Sequence, residues 1–441
     1  MKNTVAHRIT TFFRYILITV LVISLIGLVM WYFFLRSKTT TISAADAARG
    51  SGTSAPVFEG TGGSTYQNVL SDIGSSVASS SQSLTQHQRP PQLWRVSPNP
   101  TAGMGFVTSG ATTAIYFVER ATGYVFFANV ETGELVRVTN TLRPKIYEAF
   151  FTKNGSVIER SLDDAGNVIT FAGTLPTAPT KNSTTTSGAL VGTLLERNII
   201  SIAVNPVAPE IFYTTVDAKV GLVGIRVGWN GSKAKQIFTS NMLDWRVRWL
   251  QDGRLILTQN AADNTVGYSY ELSPSGVQSP LIGDIAGLTL LPRTSSPALI
   301  YGMSRGGLSL FAKTDPKTSA VRLPLKTVAD KCVWAPSKAA RESTNLPLFA
   351  YCAVPQVLPP GNFLDQWYQG VVHTEDVWWK VDAKAGEATI MFSKAMTRLD
   401  VDRPTIDESG NYIAFINATD KTLWLLRLDL GGSGTSTGSQ I

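Results

Sequence analysis

Three stretches of the chain hold residue types that do chemistry elsewhere. Gly302-Met303-Ser304-Arg305-Gly306 has the G-x-S-x-G spacing in which a serine, held on a sharp strand-to-helix turn, becomes a nucleophile. That chemistry needs a helix after the serine and an acid and a His further on. Residues 308–313 read as a strand instead, and His373 is the sole His downstream. A hairpin turn is therefore the expectation for this motif. Asp400, Asp402, Asp407 and Glu408 form the second stretch. A calcium loop wants several carboxylates at alternate positions with a Gly to turn it. Asp400-x-Asp402 runs straight into Arg403-Pro404, so a solvated turn is expected.

The third stretch, residues 354–379, carries Phe363, Trp367, Tyr368, His373, Trp378 and Trp379 within a span of 17 residues. Trp378 and Trp379 are expected to alternate across a strand and fill its two sides. Phe363, Trp367, Tyr368 and His373 fall in a Gly/Asn/Gln-rich loop and are the candidate partner-binding residues, because exposed rings on a rigid frame bring large contact area at little entropic cost. Cys332 and Cys352 are the only cysteines. They are expected at mid-strand in neighbouring antiparallel strands, where a disulfide can form if the register sets them opposite. Two buried thiols that never meet is the alternative.

Composition narrows the function. Charged residues make up only 16% of 441, and the net charge of +7 is spread thinly. Nucleic acid would call for clustered Lys and Arg with interleaved aromatics, so no nucleic-acid role is expected. Three His and two Cys leave no metal or cofactor site to assign. No catalytic set stands out either, and binding is favoured over catalysis.

The elements that would position these residues follow from patterning. Residues 1–14 read as a cytoplasmic N-terminal tail. Residues 15–35 are 21 residues without a charge, with Phe12 and Phe13 just ahead of the run and Trp31, Tyr32, Phe33 and Phe34 at its far end. A helix of that length covers about 30 Å, the hydrocarbon thickness of a bilayer, and aromatics settle at both interfaces. An uncleaved single-pass anchor is expected, with Lys2, Arg8 and Arg14 keeping the N-terminus inside. Residues 36–92, rich in Ser, Thr, Gly and Gln, read as a disordered tether reaching ~40 Å root-mean-square. Residues 431–441 read as a disordered tail.

Residues 93–430 are nearly all short strands. Turn signals sort them into six groups of four and a last group of three (404–407, 412–418 and 423–430), at about forty residues per group, the period of a β-propeller. Residues 93–97, LWRVS, can supply the fourth strand of the last group and close the ring. The fold class expected is all-β: a propeller of about seven four-stranded blades, with six or eight as alternatives. In the last group Asp407, Gly410 and Ile413-Ala414-Phe415 resemble the bacterial WD40-like repeat of TolB-type propellers. The resemblance implies a TolB-like periplasmic protein, though the TolB N-terminal α/β domain is replaced here by the anchor and tether. The anchor and the propeller together lead to the expectation of a membrane-anchored, extracytoplasmic module that binds an envelope protein or acts as a scaffold. A carbohydrate-binding or glycoside-active propeller of the cell surface is the alternative.

Overall fold

The computed structural model describes residues 89–428 apart from 110–111, 153–154, 177–187, 295, 337–346, 358–360 and 394–397. The expected anchor, tether and C-terminal tail lie outside the described residues, except for the last few tether residues. Among the described residues no helix is long and apolar enough to cross a membrane.

The chain opens with β1 (Leu93–Ser97) and then lays down blades in sequence. Blade 1 is β2 (Thr101–Ser109), β3 (Thr112–Glu119), β4 (Val125–Asn129) and β5 (Leu135–Arg137). Blade 2 is β6 (Ile146–Phe151), β7 (Ser156–Leu162), β8 (Val168–Thr174) and β9 (Val191–Leu194). Blade 3 is β10 (Ser201–Val204), β11 (Glu210–Asp217), β12 (Gly221–Gly228) and β13 (Lys235–Ser240). Blade 4 is β14 (Trp245–Trp249), β15 (Leu255–Gln259), β16 (Val266–Leu272) and β17 (Gln278–Ala286). Blade 5 is β18 (Thr289–Pro292), β19 (Leu299–Met303), β20 (Ser309–Lys313) and β21 (Val321–Leu323). Blade 6 is β22 (Cys332–Trp334), β23 (Phe349–Pro355), β24 (Asp376–Asp382) and β25 (Glu387–Phe392). Blade 7 takes β26 (Val401–Ile406), β27 (Tyr412–Asn417) and β28 (Leu423–Arg427) from the end of the chain.

Its fourth strand is β1, in the order β1-β28-β27-β26, so the seven-bladed ring is closed by the N-terminal strand. Leu93 stands opposite Leu426 and Trp94 opposite Leu425. Gln92 O accepts from Arg427 N at 2.7 Å, extending the seam by one residue. The first strand of each blade is innermost, and first strands of neighbouring blades pack together, as β2 with β6, β10 with β14 and β22 with β26. Apolar side chains fill the gaps between blades. Tyr351, Ala353 and Trp378 of blade 6 pack on Ile413, Phe415 and Leu426 of blade 7. Val96, Ala414 and Leu425 of blade 7 meet Ile115, Phe117 and Ala128 of blade 1.

Antiparallel meanders of four strands give the ring two unlike faces. Loops that enter a first strand, and loops joining a second strand to a third, share what we term the upper face. The remaining turns lie on the lower face. Since β1 is a fourth strand, Leu93 starts at the lower face, where Arg89 pairs with Glu131 of the β4–β5 turn at 3.2 Å. The G-x-S-x-G motif is the β19–β20 hairpin on the upper face, with no helix after Ser304. Cys332 and Cys352 are in register in the β22–β23 pair and are joined by a disulfide. Closing a loop with sequence separation 20 contributes about 3 kcal/mol in the chain-entropy account.

Blade 2 contains one acid in an unusual state. The Glu159 side chain in β7 is fully buried, with its Oε2 2.8 Å from Arg143 Nε and its Oε1 unpartnered. Burial pushes its carboxyl up to about 7, against the opposing charge of Arg143.

Two measurements test these features. A chain lacking residues 1–88 should melt as the intact propeller does. One lacking residues 1–98 should lose on the order of several kcal/mol, because β28 is left with an unpaired edge; equal melting points would mean that β1 does not close the ring. Glu159 binds more protons folded than unfolded, so its contribution is complete below about 4.5 and is lost as pH rises through about 7. Replacing Glu159 by Gln should flatten the decline in stability across that window, by about 3 kcal/mol at most. The same decline in both proteins would assign it to other groups.

Candidate functional site: the upper mouth of the channel

The loop between β23 and β24 is the longest described feature of the upper face, and it is not irregular throughout. Phe363–Tyr368 forms a short helix, α1, entered through Asn362 at φ 63°, a left-handed conformation that Asn tolerates better than most residues. Its apolar side settles on the ring, where Val328, Phe363, Leu364 and Trp367 form a buried cluster with Ala261 and Leu308 of blades 4 and 5 packed against it. Gly287 permits this approach. A Cβ there would sit 2.8 Å from Leu364 Cδ1 and 2.1 Å from Ser304 Oγ. Asp263 of blade 4 donates its backbone N–H to Asp365 Oδ1 at 3.2 Å, which fixes the far side of α1.

The exposure expected of Phe363 and Trp367 therefore does not occur. They are 2% and 7% exposed, because an apolar i, i+4 pair on one turn of helix has a core to cover. Their rings stack at 6.1 Å. Tyr368 is 41% exposed and His373 keeps about a third of its side chain open. Trp378 is buried and Trp379 half-buried on the other side of β24.

Behind α1 lies a buried charged network. Lys331 ends a single 3₁₀ turn, Ala329–Lys331, just before β22, and its side chain is fully buried. Nζ donates to Asp400 Oδ1 at 2.5 Å, Asp376 Oδ2 at 2.6 Å and Thr374 Oγ1 at 2.8 Å. Asp400 also accepts from Trp367 Nε1 at 2.9 Å, Thr374 Oγ1 at 2.9 Å and His373 Nδ1 at 2.9 Å. Asp376 Oδ2 takes the backbone N–H of Val401 at 2.8 Å, whereas its Oδ1 is buried without a partner. The two acids are thereby driven apart. Burial acts to raise both. In Asp400 the Lys331 charge and its several donors overcome burial and hold the carboxyl below its usual range. In Asp376 burial prevails and the carboxyl is pushed up. The solvated turn expected at Asp400 is thus overturned. Asp400 has no exposure at all, because a buried ammonium demands it as counter-charge.

In front of α1 the channel opens. Arg246 and Arg248 stand two apart on the innermost strand β14, so their side chains leave the same face of that strand. Asp330, next to Lys331, accepts from Arg246 Nη1 at 3.1 Å and from the Tyr368 hydroxyl. Arg246 also lies 5.4 Å from the centre of the Tyr368 ring. Burial would raise the Asp330 carboxyl, but Arg246 and Tyr368 keep it low. The Tyr368 hydroxyl is pushed up by burial despite Arg246 beside it, Asp330 adding to the rise. Arg248 is exposed to water.

Sequence reasoning missed Lys331, Asp330, Arg246 and Arg248. The one available signal was the W-R-V-R-W alternation of β14, which puts aromatics on one side and guanidiniums on the other.

No family model matches the chain, and no curated protein matches its sequence. Among solved structures it is similar to an oligogalacturonate lyase in complex with manganese, at 9% identity over 77% of this chain and 93% of that one, with TM-score 0.47. It is also similar to tricorn protease at 12% identity and TM-score 0.43, over 78% of this chain but only 34% of that much longer one. Such likeness goes no further than general architecture.

Removing the buried cation tests the network. Lys331→Met should cost about 3–5 kcal/mol in urea unfolding, since it strands Asp400 and Asp376 without a counter-charge. A cost below about 1 kcal/mol would show that Lys331 holds nothing together.

Proposed function

We propose that the chain is a binding propeller of the cell envelope. Residues 15–35 hold it in the cytoplasmic membrane, the propeller lies on the extracytoplasmic side, and its upper face docks a protein partner. The observation that carries this reading is where the exposed apolar side chains fall. Ile200, Val220, Met242, Leu243, Val357 and Val371 are each more than 40% exposed, and all belong to upper-face loops or strand entries. At the lower face stand Val207 and Val277 in turns and Val191 at the entry of β9, and Leu194 and Ile390 lie on outermost strands, so the upper face holds the larger share of the large exposed apolar residues described. Patches gathered on one side of a rigid scaffold mark interaction surfaces. The chain reaches β1 at the lower face, so the segment leading to the propeller starts from the side opposite the docking surface.

Two further features support the reading. The Cys332–Cys352 disulfide suits an oxidising compartment, and the uncharged run 15–35 suits an anchor. A glycan ligand is less well served. Phe363 and Trp367, the rings that would stack on sugars, face the core.

The test uses the full-length chain in its own membrane, with a photo-crosslinking phenylalanine at Met242 or, as control, at Val277. A discrete adduct with another protein is expected from Met242 and not from Val277. Met242→Asp with Leu243→Asp should reduce adduct formed from a Val220 probe about tenfold, with an unchanged melting point because both side chains are exposed. Equal adducts from both faces, or an adduct only with a second copy of the chain, would overturn the proposal.

A further inference from the structure

The chain is fastened to the ring before its first strand begins. Residues 89–92 run along the lower face and are held on both sides of the junction between blades 7 and 1. In blade 7, Arg427 gives its backbone N–H to Gln92 O at 2.7 Å and its Nη1 to Pro90 O at 3.0 Å. Gln92 Nε2 donates back to Arg427 O at 3.3 Å. Arg89 Nη2 donates to the Tyr412 hydroxyl of blade 7 at 3.2 Å and lies 3.2 Å from Glu131 Oε2 of blade 1. The Tyr412 hydroxyl donates to Glu131 in turn. Pro90 is buried against Gly133 of blade 1, where an added Cβ would stand 3.1 Å from Pro90 Cγ.

We propose that residues 89–97 are a latch that keeps the ring closed when the chain is pulled. Because β1 and β28 are antiparallel, the start of β1 and the end of β28 lie together at the lower face. A pull on the chain ahead of residue 89, against a hold on the upper face, acts along the strand axis. Every hydrogen bond of the β1–β28 pair then takes a share of the load. The pair fails only when Leu93 and Val96 leave their apolar clusters together. Pulling the two strands apart at the lower face would instead break the bonds one after another. Residues 89–92 obstruct that route, since Arg89 and Pro90 must leave Tyr412, Glu131 and Gly133 before Leu93 parts from Leu426. Pro90 and Pro91 stiffen the obstruction through their fixed φ. An exposed ion pair such as Arg89–Glu131 adds little to equilibrium stability. Placed where peeling starts, it acts on the opening rate, which governs forced unfolding. The source of the load, an anchor on one side and a docked partner on the other, rests on the reading above; the latch rests on these contacts alone.

The experiment pulls on the full-length chain in a nanodisc with optical tweezers, through pairs of introduced thiols. Cys332 and Cys352 are bonded to each other and do not compete for the handles. One pair, Ser83→Cys with Thr419→Cys, loads β1 along its axis, because Thr419 lies in the upper loop that leads into β28. The other pair, Ser83→Cys with Ser433→Cys, draws the start of β1 away from the end of β28. The first opening is expected at a force at least about twofold higher along the axis than in the peeling direction. Arg89→Ala with Pro90→Gly should shorten the life of the seam about tenfold at a fixed peeling force. Equal forces in the two directions overturn the latch. A double variant that opens no sooner than the parent overturns the part given to residues 89–92. Absence of the Met242 crosslink sinks the docking reading, while the same difference in force still supports the latch.

Discussion

The upper face is organised by one buried ammonium. Lys331 has no access to water, and it sits between Asp376 and Asp400. Stripping solvent from three charges is costly unless every one is paired and hydrogen-bonded at once. That demand draws together three pieces of chain distant in sequence: the turn before β22, the junction of the loop with β24 that carries Thr374 and Asp376, and the residue before β26. Blades 6 and 7 are therefore joined by charge at the upper rim as well as by Trp378 on Phe415 lower in the seam, whose rings lie 5.6 Å apart. Asp400 then spends its remaining lone pairs on Trp367 and His373, which carries the constraint out into α1.

Rim contacts matter in a propeller because each sheet ends at four strands and only isolated backbone hydrogen bonds, such as Ile146 N to Arg120 O at 3.0 Å and Asp376 N to Leu399 O at 2.9 Å, cross from one blade to the next. The single covalent continuity of the ring is the loop from each fourth strand to the next first strand. In the closing blade the fourth strand β1 runs on into β2 as elsewhere, and it is the turn between third and fourth strands, β28 to β1, that a hydrogen-bonded seam between the two ends of the propeller replaces. The apolar wedges supply attraction without direction. Directional contacts at the rim, such as Trp334 Nε1 donating to Leu291 O at 3.1 Å across blades 5 and 6, set the angle at which blades meet.

Much of this architecture could be read in the sequence, for a definite reason. Strand alternation and turn residues repeat about every forty positions, and a local pattern repeated seven times is a strong signal even when each copy is weak. The missing fourth strand of the last group could be found by counting. The site could not. Lys331 looks like any lysine beside a strand, and Asp400 like any carboxylate in a turn. Their meaning lies in a contact that spans 69 residues. The aromatic loop was recognisable as unusual, but its composition suggested exposure. Helical spacing of Phe363 and Trp367 is too short a pattern to announce an amphipathic helix. Tyr368 and His373 kept the accessibility expected of them because each is the residue whose neighbour turned inward.

Blade 6 shows how the pieces combine. It carries the long β23–β24 loop with its short helix α1. It also carries the disulfide, at the point where its two innermost strands pair, one residue after Lys331. Cys332 and Cys352 are both buried, in a core cluster shared with Leu291 and Ile300 of blade 5. Tying these strands holds the 3₁₀ turn at a fixed height relative to the foot of the loop. Asp330 points forward from that turn to the channel, and Lys331 points back into the ring. Adjacent residues of opposite charge thus serve two networks that α1 connects through Trp367 and Tyr368, whose rings are 5.1 Å apart. A shift of the turn would loosen the buried network and the channel mouth together, and that coupling is why a rigid, cross-linked blade is the one that bears the loop.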